Sequence, residues 1–298
     1  MSDASTHTHM ATHKALSTTL WRFTRRQPLG AAGALLILAF IICGLFAPWV
    51  SPYDPFDTNF SAVLEGPSRA HWFGTDSFGR DVLSRIIYGS RSALALGVTA
   101  SLLGAAIGGL IGVMAAYYGG KFDTLTQRLI DIILSIPVIV LALVLAAVLG
   151  KHEIGALDLN LVLAIAIPNA PRAARIIRSA ALSICRMPYI EAAKTAGFTD
   201  MRIILGHIAP NLAAPALVLV TAFVAQAILM ESSLSFLGVG IVEPAPSWGL
   251  MLSGVAVSLF AEAPWTVIFP GLAISVTVFA FSLLGDALRD ELDPKSRS

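Results

Sequence analysis

The sequence predicts an all-α polytopic membrane protein, six transmembrane helices with a polar loop at residues 183–211 on the side of the termini. Three observations predict it. Of 298 residues, 56% are hydrophobic and only 13% charged. Soluble domains carry roughly 25% charged residues, so lipid contact must replace the missing surface charge. Apolar runs recur near the roughly 20 residues that a helix needs to cross a bilayer core about 30 Å thick. Lys and Arg gather on one side of those runs, the side that resists translocation. A formal net charge of +1 gives no footing for a nucleic-acid partner.

Residues 1–25 read as a disordered cytoplasmic tail, polar and Thr-rich, in which His7, His9 and His13 fit disorder better than a metal site. Arg25 and Arg26 precede an apolar run too long for an export signal and lacking an Ala-x-Ala exit. That run, residues 29–50, is the first span. Residues 51–89 form an extracytoplasmic loop rich in turn formers. Residues 90–288 form a five-helix core, with spans at Ser92 to Tyr117, Leu125 to Leu149, Leu159 to about Ile177, Leu212 to Leu237 and Thr266 to Leu284. Residues 289–298 are a second cytoplasmic tail. The fourth span is short of apolar residues before Arg172, Arg175 and Arg178, which are read as snorkelling to headgroups, and Pro168 and Pro171 should bend or interrupt it. Arg128 and Asp131, three residues apart, are read as an internal ion pair. Only Arg69, Arg80, Arg85, Arg91 and Lys151 fall on the far side, so both termini are placed in the cytoplasm. Cys43 and Cys185 have no ligand or disulfide spacing and are read as free thiols.

Three segments carry more specific information. Gly104, Gly108 and Gly112 lie on one helix face and predict close packing against another helix, in this chain or a partner. In the first loop, Asp76, Arg80, Asp81 and Arg85 can form a local ion network that either caps the bundle or meets a ligand. The segment from Tyr189 to Asn211 reads as two short helices with a sharp bend: Ile190, Ala193 and Gly197 are at helical spacing, Gly197 suits a C-terminal cap, and Thr199 or Asp200 can cap the second helix. Its small alanines suit docking on a protein rather than lying in the lipid interface.

These residues resemble a family. Glu191-Ala192-Ala193 with Gly197 downstream is similar to the coupling-loop motif of ABC importer permeases. His71 to Gly89, Leu234 to Gly240 and Phe269 to Pro294 resemble the dipeptide/oligopeptide/nickel branch, in the subunit with a long first external loop. The resemblance implies a type I ABC importer permease fold in the inner (plasma) membrane, bound to lipid. Implied partners are a homologous second permease, two ATP-binding subunits and an extracytoplasmic solute-binding protein. ATP and Mg belong to the partner subunits; no cofactor is expected on this chain, which has no phosphate loop, Gly119-Gly120-Lys121 being followed by Phe122. Tyr189, Glu191, Ala192, Ala193, Gly197, Asp200 and Arg202 are the implied ATPase-coupling residues.

Polar residues inside spans are costly and so tend to face a cavity or a partner. Asn169, Gln226, Glu231, Ser232, Ser233 and Ser235 are the candidate substrate path. For Glu231, meeting a peptide amino terminus and pairing with an arginine or hydroxyl both stay open. The expected function is import of dipeptides or oligopeptides. Nickel, glutathione or another small solute in the same architecture, or a stand-alone proton-coupled carrier, are the alternatives.

Overall fold

A 37-residue helix is the axis on which the rest of the chain packs. The structure is a computed structural model describing residues 24–150, 152–154 and 157–292; the three histidines of the N-terminal tail lie outside them. In chain order the helices of eight or more residues among those described are α1 (Pro28–Leu45), α2 (Val82–Tyr118), α3 (Gly120–Leu134), α4 (Val138–Leu149), α5 (Leu159–Cys185), α6 (Pro188–Thr195), α7 (Ala213–Phe236) and α8 (Trp265–Leu292). Between α4 and α5 two strands of two residues each, Glu153–Ile154 and Leu157–Asp158, pair antiparallel.

Among the described residues four helices are long and apolar enough to cross a membrane, and α3 with α4 make a fifth if that pair, bent by 86°, is one span. The bend falls at Ser135–Pro137, where Pro137 cannot continue the amide ladder of α3. The expected fourth span is α5, long enough at 27 residues but carrying three arginines. Of the two expected effects, bending or interruption, the second does not occur: Pro168 and Pro171 lie inside one continuous α5; membrane helices tolerate proline where neighbours pack the freed backbone. Here the neighbour is α2, in extended contact with α5.

That seam explains the glycine stripe. A Cβ on Gly104 would stand 2.9 Å from the carbonyl oxygen of Ala166, on Gly108 2.2 Å from that of Ala170, and on Gly112 2.4 Å from that of Ala174. The three alanines repeat every four residues, as the glycines do, so two small-residue faces meet within this chain. Lipid gives no hydrophobic drive for helix association, so close backbone approach supplies the contact.

On the opposite flank α2 packs on α7, which packs on α8, and α1 lies across α8 and α2. Gly33 of α1 admits the backbone of α8, a Cβ there falling 2.6 Å from the Ala280 carbonyl oxygen.

Two arginines of α5 are held by protein, not left to snorkel. Arg178 makes a two-pronged pair with Asp123 of α3, and Arg175 pairs with Asp131. The expected Arg128–Asp131 pair is therefore corrected: a cation on a neighbouring helix takes the carboxylate.

Candidate functional site

Two sites stand at opposite ends of the bundle. At one end is the predicted polar elbow. α6 starts at Pro188, whose missing N–H costs nothing in a first turn. It ends in a reversal at Gly197, whose φ of +77° suits glycine. The Gly197 amide donates to the Lys194 carbonyl (3.0 Å) and the Phe198 amide to that of Ala193 (3.1 Å), closing the helix end.

Ile190 is fully buried and Ala193 nearly so, against Ile177, Ala181, Ile203, Ile204 and Ile208. This weld aims the other face of α6 away from the protein, leaving Tyr189, Glu191, Ala192, Lys194 and Gly197 exposed. Ala193 is thus corrected from a docking position to an anchor; Ala192 alone of the pair is free to admit a close partner.

The chain then turns into the bundle more directly than expected. Asp200–Ile203, a π-helical turn Ile204–Ile208 and a 3-10 turn Ala209–Leu212 lead into α7, so Asp200–Phe236 is a single 37-residue rod and not a separate short helix. The wide turn sits just before Pro210, which has no amide to give. Asp200 does not cap through its side chain. Its carboxylate accepts the Tyr117 hydroxyl (2.7 Å) from the end of α2. Lys194 lies over the Tyr117 ring at 4.7 Å and Arg202 over Phe198 at 4.2 Å. Tyr117, absent from the predicted set, is the staple of this end. Its signal was the Tyr117-Tyr118 pair at a span terminus, where aromatic residues anchor.

At the other end the first loop is ordered and fastened down. Trp265 donates from its indole to the Thr75 carbonyl (3.0 Å), and Phe73 stacks on Phe269 with ring centres 4.0 Å apart. Arg80 reaches Asp76 (Nε–Oδ2, 2.7 Å) and forks onto Glu243 of the loop after α7 (Nη1–Oε2, 2.6 Å). Burial alone would lower the Arg80 guanidinium, but its bonds to Glu243 and Asp76 outweigh that and hold it above its ordinary value. Arg85, fully buried, donates to the carbonyls of Pro55 and Pro244. Asp81 departs from the expected network: it pairs with His71 (2.9 Å) and caps α2 through the Ser84 amide (2.8 Å). Glu243 had no sequence signal.

The predicted path residues do not converge. Asn169 is sealed in the α2–α5 seam, donating to the Ile165 carbonyl. Glu231 is buried and accepts from Ser235 and Ser247, each at 2.9 Å, and from Ser232 at 3.4 Å. It meets hydroxyls, the partners that the second of the two open readings named. Gln226 is half-buried on α7. Ser232 and Ser233 line an open groove between α7 and α8 with Leu229, Phe236 and Ser275.

Comparison with known proteins agrees with this architecture. Residues 108–298 match the family described as binding-protein-dependent transport system inner membrane component. The chain belongs to that family. Residues 17–67 match the N-terminal transmembrane domain of oligopeptide transport permease C. The chain is 42% identical to the dipeptide transport system permease protein DppC of Alkalihalophilus pseudofirmus, covering 92% of this chain and 88% of that one. It is equally 42% identical to the glutathione transport system permease protein GsiD of Escherichia coli O1:K1, over 92% and 89%. A solved structure of the MetNI methionine ABC transporter in inward-facing form shares the fold, with a TM-score of 0.55 at 18% identity, covering 71% of this chain and 97% of its own. The chain is therefore a multi-pass permease subunit of an ABC importer, not an enzyme, and family membership sets it apart from a stand-alone carrier.

Proposed function

We propose that this chain is one of two homologous permease subunits that carry short peptides inward, with α6 as the contact for a separate cytoplasmic ATPase. The dipeptide and glutathione relatives are equally similar, so the proposed substrate class is short peptides, glutathione included. Two ATP-hydrolysing subunits, with their ATP and Mg, and an extracytoplasmic solute-binding protein complete the assembly. Both termini and the elbow lie in the cytoplasm, and the first loop faces outward. Six crossings result if the bent α3–α4 pair and α5 each span.

The carrying observation is the two-faced α6, with Ile190 and Ala193 sunk into the bundle and Glu191 and Ala192 presented outward. A push on its exposed face reaches α7 through continuous helical backbone, because Asp200–Phe236 is unbroken. Such a rigid element can switch a bundle between two packings when ATP and loaded binding protein bias them differently. The cargo route is proposed along the α7–α8 groove that Ser232 and Ser233 line, facing the second permease. Asn169 and Glu231 support helix packing.

In the assembled complex, Glu191→Lys or Gly197→Pro should abolish stimulation of ATP hydrolysis by loaded binding protein while the chain still inserts. Wild-type stimulation in both variants would overturn the coupling role.

A further inference from the structure

The Arg80–Glu243 cluster encloses a cavity of about 200 Å³ that also touches Phe78, Leu250 and Met251. It is a poor ligand site, since its two guanidiniums already face two carboxylates, Asp76 and Glu243. The cluster is better placed as a joint. Arg80 and Arg85 stand at the start of α2, and Glu243 is at the tip of the loop after α7. The base of that loop is pinned too: Ser247 donates to Glu231, the Ile241 amide donates to Ser235 (3.0 Å), and Gly249 sits so tightly on α7 that a Cβ would fall 2.1 Å from the Ser232 carbonyl oxygen. At the far end of the same two helices, Tyr117 closes α2 onto Asp200.

We infer that α2 and the Asp200–Phe236 rod form a frame clamped at both ends, and that Arg80, Glu243 and Glu231 are positioning residues whose work is to make the outer loop move with the cytoplasmic elbow. The inference rests on the proposed elbow function. An elbow displaced by the ATPase then carries the outer loop as part of one body, and a loaded binding protein seated on that loop is felt at the elbow. Burial on the arginine side gives the outer clamp its stiffness: Arg80 and Arg85 are 5% and 1% exposed, and removing Glu243 leaves the two buried guanidiniums with Asp76 as their one carboxylate.

The test uses the whole complex in lipid, with basal ATP hydrolysis, stimulation by loaded binding protein, and uptake measured side by side. Arg80→Gln and the gentler Glu243→Gln, at a half-exposed carboxylate, should leave basal hydrolysis in place and cut stimulation and uptake about tenfold, within the range an allosteric coupling supplies. Stimulation and uptake at wild-type levels in Glu243→Gln would overturn the inference. A second measurement needs no broken clamp: spin labels at Phe78 and Val242 of the otherwise intact chain should keep one separation with and without ATP, and a change on the order of one helical turn, about 5 Å, would overturn it as well. If Glu191→Lys uncouples while both Arg80→Gln and Glu243→Gln do not, the frame fails and the elbow stands. If neither Glu191→Lys nor Gly197→Pro has an effect, the elbow itself fails.

Discussion

At Gly108 a single added carbon would press 2.2 Å from a backbone oxygen of α5, whereas at Gly109, one residue along, it would meet nothing within 4 Å. Gly108→Leu should therefore lower the thermal stability of the purified permease by roughly 1–3 kcal/mol or more through overpacking. Gly109→Ala should be neutral or gain up to about 1 kcal/mol of helix propensity; equal losses at both positions would contradict the α2–α5 seam. The sequence made the close approach legible but not its partner, because four-residue spacing marks a face without naming what lies on it. Glu231 shows the reverse problem. Its cost in a span flagged it, yet Ser247, one of its main hydrogen-bond donors, lies 16 positions away. Glu231→Ala, which strips the serine hydroxyls of their acceptor, should cost about 1–3 kcal/mol in the same melting assay, and Glu231→Gln clearly less. A silent Glu231→Ala would show the hydroxyl cage to be incidental.

Among elements, the elbow was the most legible, since Gly197, Ile190 and the alanines announce a short capped helix by local rules alone. Its continuation was not. The second short helix was expected to stand apart from the fifth span, but a π turn and a 3-10 turn carry the chain past Pro210 into α7. Local spacing likewise coupled Arg128 to Asp131, and the tertiary reach of Arg175 overrode it. If the staple between α2 and the rod transmits the elbow's motion, Tyr117→Phe should reduce ATPase stimulation by loaded binding protein a few-fold, in line with one hydrogen bond worth about 0.5–1.5 kcal/mol. Stimulation equal to wild type would place transmission in the apolar packing of Ile190 and Ile203 instead.

For the whole molecule, membrane character and the long apolar helices came from composition and run length, quantities averaged over many residues. The ordering of the first loop was only half visible, because Trp265 and Phe269, which fasten it, lie almost two hundred residues from the residues they hold. What unites the molecule in the proposed function is the path from the exposed face of α6 to the first loop. The most direct measurement is a photo-crosslink from a probe placed at position 192, the small exposed residue of α6, in membranes holding the assembled complex. An adduct with the ATP-hydrolysing subunit, formed on the cytoplasmic face, is the expected result. A probe that captures only lipid, or that is quenched by an impermeant reagent from outside the cell, would contradict it.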